Sequence, residues 1–366
     1  MILVLSELIR CLEEAFPLSF QEGYDNSGLQ TGSAQQEIQS VLITLDVTEQ
    51  VIDEAVAKGA GLILSHHPLI FQGLKKLNGN GYVERCVIKA IRNNIALYAC
   101  HTNADNLREG LNAALARRLG LTNCRILKPL KGQLRKLVTF VPHEQADQVR
   151  QAVFSAGGGT IGEYDSCSYN LQGHGTFRGS ANTNPFAGGK GVFHTEPETR
   201  IETIFPAHLQ ARVIKAMLAA HPYEEAAYDI YTLENEYEKA GAGLIGELDP
   251  GSGGEAFARL VKERLGAETL RHTAFLPGDI KKVALCGGSG AFLIPEAIRQ
   301  GANAFVTADL KYHQFFDADG RILLIDAGHF ETEQVVKELF YEVLIKNFPN
   351  FAVHFSEVNT NPVNYI

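Results

Sequence analysis

Apolar residues in this chain fall in short unbroken runs, each followed by a segment with helical spacing, and the whole pattern occurs twice. The run VLITLDV, from Val41, leads through VIDEAVAKGAGLILSHH to His67. The run KVALCGG, containing Val283, leads through LIPEAIRQGANAFVTAD to Asp309. Ile52 aligns with Ile294, Glu54 with Glu296, Ala55 with Ala297, Gly59 with Gly301 and Leu64 with Val306. Apolar strands without polar alternation, joined by a helix, predict a parallel sheet covered on both faces. The first copy reads as a strand over 41–46, a helix over 48–58 and a strand over 62–65. Asp46 and Thr48 suit the helix start and Gly59 its end. A helix over 6–16 with Ser6 as N-cap precedes it. A helix over 82–93, a strand over 95–100 and a helix over 106–119 extend it.

The middle of the chain has another texture. From 134 to 233 the pattern runs strand (KLVTFVP), helix (EQADQVRQAVFSAG), strand, a Gly- and Asn-rich stretch, strand (RIETIFP), helix (LQARVIKAMLAAH) and strand (YDIYTLE). Two such units in series predict a ferredoxin-like α+β sandwich. The run 173–191 reads as a mobile hairpin or loop. The expected organisation is an α/β protein of two similar lobes, 1–127 and 239–366, with an inserted domain at 128–238.

Composition narrows the class. The chain has 366 residues, too long for one typical domain, and its 20 Phe and 12 Tyr supply a sizeable core. A formal net charge of -9 argues against electrostatically driven nucleic-acid binding. The six cysteines are scattered without a CxxC pair, which suits reduced thiols better than a disulfide framework or a thiolate zinc site. No leader pattern and no run of about 20 apolar residues is present, so the expectation is a soluble cytoplasmic protein without membrane contact.

The residues that carry chemistry sit at matching places in the two copies. His66 and His67 end an apolar strand before Pro68, and the carboxyl ends of parallel strands are where α/β folds place ligands. An isolated HH pair is more often one hydrogen-bonded core imidazole and one exposed one. IALYACHTNAD aligns with RILLIDAGHFETE, setting His101 against His329 and Asp105 against Glu333. Residues four apart share a helix face, so each pair can aim at one point. Imidazole with carboxylate suits Zn, Fe or Mn rather than thiolate-preferring metals. His66, His67, Asp105, His329 and Glu333, with His101 as a possible sixth, exceed what one zinc uses, and two divalent ions sharing a carboxylate use them economically. Asp25 in the loop after the first helix, and Lys311, Tyr312 and His313 after the second-copy strand, are candidates for substrate binding or proton transfer, or for plain capping turns. Gly287, Gly288 and Gly290 have the outline of a phosphate-cradling loop but lack GxGxxG spacing and a Walker Lys, which favours a tight turn.

Taken together, DNSGLQ, SHHPLIF, HTNADN, GGSG, TADLKYH and GHFETE resemble the Nif-three-like family of dinuclear-metal hexameric proteins, named GTP cyclohydrolase 1 type 2 homologs. The resemblance covers nearly the whole chain, and the middle resembles the PII/CutA-like insert of the long bacterial members. It implies that His67 and Asp105 bind one ion, His66 and His329 the other, and that Glu333 bridges. It also implies a homohexamer, a trimer of dimers. One departure is the TAD at Asp309, where many members read TGD.

Two functions follow as expectations. One is a metal-dependent hydrolase of a nucleotide-like or phosphorylated small molecule, of the GTP cyclohydrolase type. The other is a non-catalytic metal-dependent regulator or binding scaffold. The sequence does not decide whether the protein is an enzyme.

Overall fold

The structure, a computed structural model, describes residues 1–366. It divides into two compact units: Met1–Pro129 with Glu238–Ile366, and Leu130–Tyr237.

The first unit holds two sheets. One has five strands in the order Ala352–Phe355, Ser40–Thr44, Leu62–Ser65, Ala96–Ala99, Gly28–Thr31. The first four run parallel and the last is antiparallel. Every residue of Ser40–Thr44, Leu62–Ser65 and Ala96–Ala99 is buried, as strands covered on both faces require. The helix Glu49–Lys58 starts at Thr48, whose Oγ1 accepts from Val51 N, and ends at Gly59 in the left-handed region, φ 65°. The second sheet has six strands, in the order Arg271–His272, Leu323–Asp326, Ala304–Ala308, Asp279–Ser289, Tyr237–Gly253, Thr122–Leu130. Its repeat-derived strands are likewise parallel.

The two halves of the chain are interlaced rather than separate lobes. Thr122–Leu130, from the first half, forms an edge of the second sheet, and Ala352–Phe355, from the end of the chain, forms an edge of the first. The helix Val336–Asn347 buries Val336, Leu339, Phe340 and Leu344 in the core of the first sheet, where Phe340 meets Phe16 edge-on at 5.5 Å. Each such side chain stabilises the arrangement by about 1.5–3 kcal/mol when fully buried. In return, the helix Leu111–Leu119 packs into the core of the second sheet beside Gly254–Leu265.

Several expected elements differ. The first helix is Leu5–Ala15, so Ser6 lies inside it and does not cap. The helix expected over 106–119 begins only at Leu111, after a separate turn Thr102–Asp105, because Leu107 bridges to Ala240 and Arg108 N donates to Lys239 O. The chain then restarts as a helix after Gly110.

The second unit is a four-stranded antiparallel sheet, in the order Tyr228–Leu233, Leu134–Pro142, Phe193–Pro206, Tyr169–Arg178. Numbered along the chain this is 4-1-3-2, with helices Ala146–Ser155 and Gln210–Ala220 following the first and third strands, which is the ferredoxin-like order. Leu137, Val141, Ile201 and Phe205 pack against Val149, Val153, Val213 and Met217, so both helices cover one face. The stretch expected as a hairpin or loop from 173 is a hairpin, strand as far as Arg178 and paired across to Phe193. No helix of the protein is long and apolar enough to cross a membrane.

Candidate metal centre

Within the first unit, strand ends of both sheets deliver their polar residues to one place. His66 and His67 follow Leu62–Ser65, His101 follows Ala96–Ala99, and Asp105 closes the single turn Thr102–Asp105. From the second half, His329 opens the turn His329–Glu333 and Glu333 ends it. Nε2 of His67 and Nε2 of His329 each lie 2.9 Å from Glu333 Oε2, and 3.2 Å from each other. His66 Nε2 lies 3.5 Å from Asp105 Oδ1 and 3.8 Å from the same Glu333 oxygen. The rings of His66 and His67 stand 5.2 and 5.4 Å from that of His101. Two groups have ligand atoms close enough to share an ion: His67, His329 and Glu333, and His66, His67 and His101. The resemblance instead implies His67 with Asp105 and His66 with His329. In the structure Glu333 Oε2 draws His67 and His329 together, and His66 faces Asp105.

All four imidazoles are wired alike. Nδ1 of His66 meets Cys100 O at 2.8 Å, Nδ1 of His67 meets Asp46 Oδ1 at 2.7 Å, Nδ1 of His101 meets Asp25 Oδ1 at 2.7 Å, and Nδ1 of His329 meets Asp309 Oδ2 at 2.7 Å. An acceptor at Nδ1 fixes the tautomer and leaves the Nε2 lone pair for a cation, the arrangement of metal-bound histidine. Asp46 and Asp309 are the functional residues that sequence reasoning missed. Asp46 reads as a helix-start residue, yet Thr48 does the capping and Asp46 orients His67. Its place at a strand end, like that of Asp309, was the available signal. Asp309 adopts a left-handed backbone, φ 57°, to turn its carboxylate onto His329.

The donor atoms fit a cation. His66 Nε2, Asp105 Oδ1 and Glu333 Oε2 are buried without an aligned hydrogen-bond partner, a costly state for polar atoms unless an ion engages them. Burial drives the His66 imidazole down to about 3, which keeps it neutral. Burial, and then the Glu333 charge, push the Asp105 carboxyl well above the usual range. Burial acts against the charge of Glu333 too, but His329 and His67 hold it well below the ordinary value. Burial lowers His67, but Asp46 and Glu333 outweigh that and raise it to about 10, so a cation at Nε2 would displace a proton there. Gly288, at φ 59°, makes room, since a Cβ there would stand 2.1 Å from Glu333 Oε1.

Asp25 is the one auxiliary candidate that reaches this centre. Besides His101, it accepts from Thr102 N at 3.0 Å and Ser27 Oγ at 3.0 Å. Burial opposes its charge, but the bonds from His101 and Thr102 hold its carboxyl far below the usual range. Lys311, Tyr312 and His313 lie exposed where a 3-10 turn begins, and Lys311 N donates to Gln314 Oε1 at 2.7 Å. None of the three is hydrogen-bonded to the histidine cluster. The glycine-rich segment is no phosphate cradle. The N–H groups of Gly287, Gly288 and Gly290 are taken by Asn112, Thr332 and Thr307.

An interlaced α/β core with a histidine–carboxylate cluster at its strand ends that could hold a metal ion, interrupted by a ferredoxin-like unit, defines a recognisable class of proteins. The profile of the Duf34/NIF3 (NGG1p interacting factor 3) family matches residues 3–362. The chain belongs to that family. It is 41% identical over 365 residues to a protein of Halalkalibacterium halodurans and 38% identical over 366 residues to one of Bacillus subtilis, covering 98% of each chain in both cases. Both carry the name GTP cyclohydrolase 1 type 2 homolog. Among solved structures it is similar to a Bacillus cereus protein related to NIF3, with TM-score 0.86, 39% identity and 98% of both chains covered. A Staphylococcus aureus protein superposes with TM-score 0.79 at 30% identity, covering 100% of this chain and 99% of that one.

Proposed function

We propose that this protein is a dinuclear metal-dependent hydrolase of a nucleotide-like or phosphorylated small molecule. The observation that carries the reading is the position of Glu333 Oε2, within 2.9 Å of both His67 and His329 and 3.8 Å from His66. His67 and His329 would hold one divalent ion, His66 and Asp105 the second, with Glu333 shared and His101 beside them. Zn, Fe and Mn all suit this donor set. Bound there, the ions supply Lewis acidity and a water of lowered pKa. Asp46, Asp309 and Asp25 hold three of the imidazoles with Nε2 inward. The Asp25–His101 pair adds a group placed to move a proton at His101 Nε2.

The relatives' name, GTP cyclohydrolase 1 type 2 homolog, supports a purine-type substrate. We assign the insert to the PII/CutA-like type on its 4-1-3-2 strand order and its one-sided helices. The assembly we propose is a cytoplasmic homohexamer, which light scattering checks: a monomer at micromolar concentration with its metals bound refutes it.

The deciding experiment loads the full chain with Zn, Mn or Fe, counts the ions by elemental analysis, and measures turnover of GTP and model phosphoesters. Two ions per chain, turnover, and loss of both an ion and turnover in His67→Ala are expected. One ion at full occupancy, unchanged by Glu333→Ala, overturns the dinuclear reading. Two ions without turnover leave the non-catalytic scaffold in its place.

A further inference from the structure

The second unit carries a cavity of its own. About 820 Å³ of space lies over the sheet face opposite the two helices, walled by Phe140, Phe177, Phe186 and Tyr223, with Glu198 and Arg200 among its polar lining. That volume falls in the range of small-molecule sites, and an aromatic wall beside polar groups can fix a ligand's orientation.

The walls are built. The ring of Tyr223 stands 6.1 Å from Phe177 and 6.2 Å from Phe186. Phe186 rides on the segment between the two hairpin strands. That segment is closed by Gly191 N donating to Gly179 O at 2.7 Å, and tied across by Asn184 N donating to Glu224 Oε1 at 2.8 Å. Tyr223 is in turn held from behind, its N–H donating to His221 Nδ1 at 3.1 Å, while His221 Nε2 meets Phe140 O at 3.0 Å.

Of the three carboxylates in the lining, Glu198, Glu224 and Glu225, only Glu198 is buried. Glu198 is only 7% exposed, and Oε1 accepts from the Tyr223 hydroxyl at 2.7 Å. Its other oxygen, Oε2, lies over Gly175, where a Cβ would stand at 2.1 Å. A glycine opposite that oxygen keeps it clear of side chains, and no side chain donates to it. The positive groups at the lining, Arg178 and Arg200, are exposed. Arg200 is already engaged, with its guanidinium over Phe140 at 5.9 Å and paired to Glu202 at 2.8 Å. Exposed charges are screened, and a buried carboxylate decides which ligand is accepted.

We propose that this cavity binds a planar aromatic molecule bearing a cationic or N–H-donating nitrogen, its ring against the wall formed by Phe177, Phe186 and Tyr223 and its nitrogen on Glu198 Oε2. This is a second ligand site, independent of the metal centre. The probes are tryptamine and benzamidine, with indole-3-propionate as the anionic counterpart, titrated calorimetrically into the full-length chain. Saturable binding of tryptamine is expected, with the anion bound at least tenfold more weakly. Glu198→Gln weakens tryptamine at least tenfold and narrows its margin over the anion. Phe186→Ala, at a side chain 54% exposed and therefore safe for folding, weakens both. No saturable binding of either amine at millimolar concentration overturns the proposal, including the case in which another copy of the chain covers the cavity. So does equal affinity for the anion, or wild-type tryptamine affinity in Phe186→Ala.

Discussion

His67 and His329 stand 262 residues apart in sequence, yet their Nε2 atoms approach to 3.2 Å over the carboxylate of Glu333. Each ring is pinned from behind by an aspartate of its own half, Asp46 or Asp309, at 2.7 Å. The two halves of the duplicated pattern therefore meet in the same way, with a carboxylate at a strand end holding an imidazole whose far nitrogen faces the other half.

Those outer carboxylates set the first prediction. Asp46→Asn and Asp309→Asn keep the shape but weaken the acceptor that fixes each tautomer. Metal affinity is expected to fall by about 10–100-fold in each, the usual cost of removing such a partner. Competition titration against a chelator measures it, with the melting curve as a fold control. Unchanged affinity in both variants would mean that the aspartates only fill space.

Gly288 gives the second. Its φ of 59° and the 2.1 Å separation between a built Cβ and Glu333 Oε1 leave no room for a side chain. Alanine there pays for a left-handed backbone, about 1 kcal/mol, and pushes Glu333 off its position. The Gly288→Ala variant should unfold at lower denaturant and carry less metal than wild type. Wild-type metal content would show that the carboxylate can shift without consequence.

What the sequence revealed, and what it hid, follows from the range of the interactions involved. The strand–helix–strand of residues 41–65 was legible because burial on both faces demands unbroken apolar runs, and Thr48 and Gly59 mark the ends of its helix chemically. The residues of the histidine–carboxylate cluster were legible because His and carboxylate recur at equivalent strand ends. The interlacing was not. Thr122–Leu130 mixes exposed and buried positions, and nothing local says that its partner is Tyr237–Gly253, across the whole insert. The break after Asp105 was hidden too, since residues 106–119 have helical spacing and only the distant bridge from Leu107 to Ala240 interrupts it. Asp46 looked like an ordinary helix-start acid, and Asp309 like a mere variation in its motif, because their imidazole partners follow other strands.

The thiols provide a third test. Cys86, Cys100 and Cys286 are buried, while Cys11, Cys124 and Cys167 are partly exposed. Burial pushes Cys86 up to about 11, and drives Cys100 and Cys286 higher still. The thiolate is the reactive form, so Cys86 holds about a hundredfold less of it than an ordinary cysteine, before access is considered. Brief native alkylation with iodoacetamide, read by peptide mass spectrometry, should label only the partly exposed set. Full labelling requires denaturant. Rapid native labelling of Cys100 would contradict the packing of the first sheet.

The last prediction concerns the insert. Its entry and exit are neighbouring strands of one sheet, Thr122–Leu130 and Tyr237–Gly253. They run in opposite directions, since Gly241 lies against Lys128 and Pro129 while Gly246 lies against Thr122. Adjacent strands are about 4.8 Å apart, so two or three residues can close the gap as a hairpin turn. The insert also keeps its own core, in which Leu137, Val149, Phe205 and Met217 are buried. Replacing residues 131–236 by a short Gly-containing turn should therefore give a chain that melts cooperatively and binds as many metal ions as the full protein. Loss of the tryptamine signal is expected in the same chain. A truncated protein that is unfolded or free of metal would show that the core depends on the insert, and that the adjacency of the two strands is not enough to make it removable.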